Sequence, residues 1–502
     1  MVVKMSKVPY EEALNMTGFS KFNLLLFTLC CSIIVAMVFE LYSVSYLVPA
    51  SVCELGTTSA QQGLMAGLPL VGVILTSHIW GYLADTKGRK KMLVFSMTIG
   101  FVFGSAAALS PNWMVLSVFK FLSSAAVSGA SALALALLGE CTPASRRSTL
   151  LLLTTSALLS CTGVMAVLSI PILPMKFSYY IPYLNIDFNS WRLLNLIFSF
   201  PCLLNAFGAA LAFESPKYLL SIGEDKKALD ILKAIFVMNS GKDSELYQVE
   251  SVVLDESSAK PIEGFWASIA EQTLPLFRKP LLKSTILLGV LFIVVFSCIN
   301  PFLVWLPFMV DAFMSSVEKG HVHMTLCEMM RLARNDTSIK EPTDCSMNQF
   351  AMTMVFGICV MLAVLNAVAS GAIHIVGKRR LYIGIQIVSA VAALGINFSS
   401  IWPLSATLFI ILLADIINFG FLSSFTVDVY PTFVKAKGVC LMFMLGRGST
   451  ILAINILKNL LENNCEAAFY LFSAFTLLAG ILGLCLPADR SLFEPRKEET
   501  KI

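Results

Sequence analysis

Gly81-Tyr82-Leu83-Ala84-Asp85-Thr86-Lys87-Gly88-Arg89-Lys90-Lys91 stands between two long apolar stretches, and its reading decides the fold. An acid, two glycines seven apart and a basic cluster have no use inside a soluble core. Between two membrane-crossing helices each has one. Gly81 and Gly88 let helix ends approach closely, the basic cluster holds the joint on the cytoplasmic side, and Asp85 can pair with a neighbouring helix end.

The composition points the same way. Of 502 residues, 57% are hydrophobic and 14% charged, against about 25% charged in an average soluble chain. The net charge of +4 gives no case for nucleic acid. Apolar stretches near 24–48, 62–83, 92–109, 113–139, 149–171, 191–213, 284–310, 350–375, 381–400, 404–427, 438–461 and 467–486 predict twelve crossings, most with the roughly 20 apolar residues that a crossing needs. Lys87, Arg89, Lys90 and Lys91 follow the second crossing, Arg146 and Arg147 the fourth, Lys378, Arg379 and Arg380 the eighth, and Lys435 and Lys437 the tenth. The alternate loops 49–61, 110–112 and 401–403 carry no Lys or Arg, so both termini are expected to be cytoplasmic. The first apolar segment is too long for a signal peptide, lacks a small-residue cleavage site and holds Glu40.

The longest polar interval, 214–283, divides the crossings six and six: a first bundle within 1–213, a linker at 214–283, a second bundle at 284–486 with an outside loop at 314–348, and a tail at 487–502. Within the linker Ala228, Leu229, Ile231, Leu232, Ile235 and Phe236 recur at helical spacing and predict an amphipathic helix. The halves echo one another. Glu140-Cys-Thr-Pro143 with Arg147 matches Asp428-Val-Tyr-Pro431 with Lys435, and Ser370 to Arg380 falls where a second copy of the 81–91 joint belongs, with His374 in place of Asp85. Parallel repeats predict two six-helix bundles rocking about a central site.

The 81–91 joint resembles the G-x-L-A-D-x-x-G-R-[RK]-x loop between helices 2 and 3 of the major facilitator superfamily. Tyr10-Glu11-Glu12-Ala13, Gly18 to Phe22, Leu47-Val48-Pro49, Ser190-Trp191-Arg192, Phe213-Glu214-Ser215-Pro216-Lys217-Tyr218-Leu219 and Asp428 to Thr432 are similar to segments of the synaptic vesicle glycoprotein 2 and organic-ion transporter branch, the 213–219 stretch also to sugar transporters. The resemblance runs from about Tyr10 to Asp489. It departs at Met37, acidic in the vesicle proteins, at Lys120, which replaces a fourth-helix arginine, and in the loop 314–348, far shorter than the vesicle proteins' lumenal domain. It implies an all-α, twelve-helix membrane protein of two pseudo-symmetric halves that moves a small organic solute. It also implies that Gly81, Asp85, Gly88, Arg89, Glu140, Arg147, Asp428 and Lys435 gate the cytoplasmic side.

Glu40, mid-crossing in the first helix, is costly in hydrocarbon and is expected to handle solute or protons, a structural ion pair being the alternative. Arg447, between Gly446 and Gly448, cannot shed its charge and needs an interior partner or an anionic ligand. In the organic-ion transporters an arginine at the matching place accompanies anion acceptance, which leans the reading toward organic anions. Asp415 and Asn418 share a helix face as a candidate lining pair, and Lys120 is a packing residue or a ligand contact. Cys53, Cys327, Cys345 and Cys465 fall outside the membrane. Cys327 and Cys345, in one loop, are candidates for a disulfide, two free thiols being the alternative. Asn335-Asp336-Thr337 is a glycosylation sequon in that loop.

No C-x-x-C, HExxH, Walker loop or Gly-x-Ser-x-Gly appears, so neither an enzyme nor direct use of ATP is expected, and no cofactor or metal. The expected partners are the bilayer and a small organic solute, moved by facilitative or proton-coupled transport, for a protein working as a monomer in the plasma membrane or a vesicle membrane. A non-transporting membrane glycoprotein or receptor on the same fold, or a sugar transporter, is the competing reading.

Overall fold

The computed structural model describes residues 5, 7–254, 274–279, 281–321, 323–337, 348–430 and 432–487. The first half runs β1 (Val8–Pro9), α1 (Tyr10–Met16), α2 (Lys21–Tyr42), α3 (Val44–Leu55), α4 (Ser59–Lys87), α5 (Arg89–Ala107), α6 (Trp113–Val127), α7 (Ala130–Glu140), α8 (Ala144–Ile172), the hairpin β2 (Tyr179–Ile181) and β3 (Ile186–Phe188), and α9 (Ser190–Leu211). The linker holds α10 (Pro216–Ser221), α11 (Asp225–Ser240) and β4 (Val252–Val253). The second half runs α12 (Leu282–Val304), α13 (Leu306–Glu318), α14 (Leu326–Thr337), α15 (Gln349–Val376), α16 (Lys378–Ile396), α17 (Trp402–Leu413), a 3-10 turn (Ala414–Ile417), α18 (Asn418–Val429), α19 (Thr432–Asn463) and α20 (Cys465–Gly483).

Eleven segments among the described residues are long and apolar enough to cross a membrane, and α8, apolar over Ser160–Ile172, completes the twelve of an integral multi-pass protein. The first crossing extends to Lys21–Leu55, well past the expected 24–48, because α3 continues α2 beyond a one-residue irregularity at Ser43. The fourth crossing is interrupted at Ser128-Gly129, the seventh at Trp305 and the tenth by the 3-10 turn. Carbonyls freed inside a bilayer must find donors within the protein. At the fourth crossing Ala125 O accepts from Trp80 Nε1 and Thr76 Oγ1, each at 2.8 Å, and Ala126 O accepts from Ser96 Oγ at 2.8 Å.

The repeat is visible in the backbone. Gly88 (φ 99, ψ 149) joins α4 to α5, and Gly377 (φ 93, ψ 149) joins α15 to α16, each followed by a 19-residue helix. Positive φ favours glycine at both joints. At Gly88 space demands it too: a Cβ would lie 2.5 Å from Glu214 Oε2. Glu214 Oε1 in turn accepts from the Lys90 and Ser215 backbone N–H groups at 3.0 Å, fastening the linker to the joint.

A second, smaller core sits on the face that carries the basic joints. β1 pairs in parallel with β4, and Val8, Tyr10, Leu14, Tyr218, Leu232 and Tyr247 pack together. The segment before the first crossing and the linker thus form one unit. Asn239 secures it by donating to the carbonyls of Thr17 and Gly18 and to Asn23 Oδ1.

The opposite face corrects one expectation. Cys327 pairs with Cys465, not with Cys345, which lies outside the described residues; their Cα atoms are 5.5 Å apart. The reason is tertiary: α14 lies beside the start of α20, where Arg331 also forms a bidentate pair with Glu466 at 2.7 and 2.8 Å. Cys53 is disulfide-bonded as well. Asn335 falls on α14, its side chain outside the described set.

Two outcomes follow from these contacts. Gly88→Ala should cost about 1–3 kcal/mol from the unfavourable φ and the clash, read as a lower melting temperature in detergent. Gly81→Ala, whose Cβ meets nothing within 4 Å, should not lower it. Non-reducing peptide mapping should recover a Cys327–Cys465 peptide, and Cys465→Ser should cost about 2–4 kcal/mol.

Candidate functional site

The two halves meet along a seam formed by α4 against α19, α8 against α15, and α3 against α13. Small residues let them close. A Cβ at Gly63 would lie 2.4 Å from Asn455 Oδ1, one at Gly67 3.3 Å from the Ile451 side chain, and one at Gly163 2.9 Å from Cys359 Cβ. Thr162 of α8 joins the same contact, its carbonyl accepting from Tyr46 at 2.8 Å and its hydroxyl meeting Cys359 Sγ at 3.2 Å. These approaches fall in the half of the bundle remote from the basic joints, and they hold that end shut.

Glu40 lies inside the first half. It is fully buried, and its Oε2 accepts from Ser123 Oγ at 2.7 Å and from Lys120 Nζ at 3.1 Å. Its Oε1 faces Gly104 of α5 and Ser199 of α9: a Cβ at Gly104 would lie 2.2 Å from that oxygen. Lys120 is equally sequestered and borders a void of about 10 Å³ with Val44, Leu47 and Leu116, a space about one water-sized probe across. Both charges are therefore desolvated, and each is held by the other.

Asp415 occupies a comparable place in the second half. Buried in the 3-10 turn, it accepts from Asn418 Nδ2 at 2.7 Å. Its Oδ2 has no hydrogen-bond partner among the described residues. Glu40 with Lys120 and Asp415 with Asn418 are thus two clusters, one inside each half. Arg447 is placed differently. It stands on α19 with its guanidinium 5.8 Å from the Phe443 ring, one turn before Ile451, which meets Gly67 of the other half. Next to it, the Cβ position of Gly448 approaches Ile74 of α4 at 4.0 Å.

At the basic joint, Arg89 bonds Glu140 at 3.2 Å and lies over the Tyr218 ring at 5.1 Å. The other Glu140 oxygen accepts from Ser215. Arg147 binds both oxygens of Glu11 at 2.9 and 3.0 Å. Tyr10 donates to the Glu140 carbonyl; burial, then Cys141 and Glu140, push its phenol well above the usual range, so it remains a donor. These described contacts lie within the first half and the linker. The side chains of Asp85, Asp428 and Lys435 are outside the described set.

Two clusters were not legible as such in the sequence. Arg192, fully buried, donates to the Ala108 and Ser110 carbonyls at 2.8 and 2.9 Å and to Glu54 at 2.5 Å. It thereby neutralises the carbonyl end of α5 and ties it to α3 and α9. The Ser190-Trp191-Arg192 motif was visible; its partner Glu54 was not, since nothing local links them. Lys458, 3% exposed, bonds Glu462 at 3.1 Å and lies 4.7 and 4.0 Å from the Trp305 and Phe308 rings. Its charge inside an apolar crossing was the available signal. Among the described residues no group of three or more His, Cys, Asp or Glu is arranged to hold a metal.

Glu40→Gln leaves the Lys120 ammonium buried without its counter-charge and should destabilise the protein by about 3–5 kcal/mol. Glu40→Gln combined with Lys120→Met should recover most of that loss in a detergent melting assay. No recovery would mean that the pair is not the principal stabilising contact of either residue.

Comparison with known proteins places this geometry. The chain is 28% identical over 229 residues to the putative transporter svop-1 of Caenorhabditis elegans, covering 46% of this chain and 41% of that protein. It is 22% identical over 333 residues to synaptic vesicle glycoprotein 2B of Homo sapiens, covering 62% and 48%. The matched stretches span less than half the length of these curated relatives. The inward-open conformation of the xylose transporter XylE from E. coli superposes with a TM-score of 0.68 at 13% identity, covering 94% of this chain and 98% of that one, a likeness of fold. The family model matches residues 28–454, and the chain belongs to the Major Facilitator Superfamily.

Proposed function

We propose that this protein is a transporter that carries a small organic solute along the seam between its halves by alternating access, with a lean to organic anions. Arg447 carries the reading. A guanidinium keeps its charge at any physiological pH, so it can bind an anionic solute that reaches the seam whatever protein groups also contact it. Arg447 stands beside the seam, one turn before Ile451, which meets Gly67 of the opposite half, and between two glycines that keep side-chain bulk away. The family membership supports transport as such, and no nucleotide-binding loop argues for energy input from ATP.

The basic joints give the orientation: they lie on the cytoplasmic side, and the Cys327–Cys465 disulfide on the opposite side faces an oxidising compartment. With that end of the seam shut, the next step of the cycle in this reading is opening toward the cytoplasm. The gating role belongs to Arg89, Glu140 and Arg147, whose contacts with Glu11, Ser215 and Tyr218 hold the joint within the first half here and exchange when the cytoplasmic side closes. One observation favours the competing reading of a non-transporting glycoprotein: Glu40 is locked to Lys120 inside one half, with no part left for it in an open passage.

Uptake of radiolabelled benzoate, succinate, tetraethylammonium and xylose into proteoliposomes, with and without a pH gradient, tests the assignment. Carboxylate uptake should exceed the others and fall at least about tenfold in Arg447→Ala of unaltered abundance. Uptake of the cation or the pentose alone would overturn the anion lean, and no uptake of any class would overturn transport.

A further inference from the structure

Arg447 is one member of a row. Arg447, Ile451, Asn455, Lys458 and Glu462 recur along α19 at spacings of four, four, three and four, which sets them on one helix face. Ile451 and Asn455 of that row touch Gly67 and Gly63 of the opposite half, so the row runs along the seam. Lys458 stands beyond them, toward the end remote from the basic joints. Trp305 and Phe308, which cage it, lie where the seventh crossing breaks, and the helix that follows packs against α3 of the first half. The cage is rigid: Trp305 is fully buried and its Nε1 donates to the Ile454 carbonyl at 3.3 Å.

A lysine in such a place is expensive. Burying an ammonium costs several kcal/mol unless a counter-charge and aromatic faces replace water. Among the described contacts, the Glu462 carboxylate, four residues on, and two rings do so. Glu462 is the more exposed partner, its side chain 16% accessible against 4% for Lys458, so it lies nearer the solvent of the outer side. Opening the seam at that end separates Asn455 from Gly63 and brings solvent to the row.

We propose that Lys458 is the outer anion-receiving residue of this transporter: a solute carboxylate entering from outside replaces Glu462 on Lys458, against the Trp305 and Phe308 faces, before passing along the row to Arg447. The inference rests on the anion reading given above. In it, Glu462 is a built-in competitor that keeps the ammonium paired while the outer end is shut. The rings favour a solute with a flat apolar body beside its carboxylate, and so an aromatic carboxylate over a dicarboxylate.

The test uses the full chain in right-side-out proteoliposomes with radiolabelled benzoate and succinate, measuring KM for entry and for efflux. Lys458→Gln should raise KM for entry of benzoate about tenfold with little change in efflux KM, and Lys458→Arg should restore most of it. Glu462→Gln should act in the opposite direction and lower the entry KM. Arg447→Ala should impair both directions. A purely structural pair predicts that Lys458→Gln and Glu462→Gln reduce abundance and melting temperature alike and leave KM unchanged, and that result overturns the assignment while sparing the anion reading. If the unaltered chain carries neither carboxylate, both fall together.

Discussion

Hydrocarbon cannot solvate charge, and this constraint orders the polar contacts of the protein. Glu40 meets Lys120, Arg192 meets Glu54 and two helix-end carbonyls, and Lys458 meets Glu462 and two rings. Each pair joins groups that would be untenable alone; the first two tie elements that the chain separates, and around Lys458 the rings of the seventh crossing do so. Glu40 and Lys120 bind the first crossing to the fourth; Arg192 and Glu54 bind the sixth to the end of the first.

The halves are alike in backbone and unlike in side chains. The two joint glycines adopt nearly the same dihedral angles, and the helices that follow them have the same length. The acid inside each half has nevertheless changed helix: Glu40 is on the first crossing and Asp415 on the tenth, the counterpart of the fourth. Only the first half supplies its acid with a described basic partner. Equal scaffolds therefore present different interiors.

The small unit at the basic joint links the proposed gate to the linker. Tyr10 and Glu11 precede the first crossing, Ser215 and Tyr218 open the linker, and all four reach Glu140, Arg89 or Arg147. The joint is thus not a bare charge cluster but the centre of a small folded body with its own apolar core. A rearrangement of the gate must move against that body.

Length, hydropathy and the placement of Lys and Arg determined by themselves that the chain crosses a membrane twelve times as two echoing halves, because hydrocarbon thickness and charge exclusion act on local sequence. The joint glycines were legible for the same reason: positive φ is a local demand. Glu40, Lys120, Asp415, Asn418 and Arg447 were recognisable as charged or polar groups in apolar crossings. Only the tertiary structure decided the partners of Glu40 and Lys120, since Lys120 and Ser123 lie some 80 residues from Glu40, whereas Asp415 meets Asn418 of its own turn. It also moved Cys327 from Cys345, its neighbour in the loop, to Cys465. A disulfide needs two Cα atoms a few ångströms apart, and that proximity arises from how α14 packs on α20 rather than from any spacing along the chain.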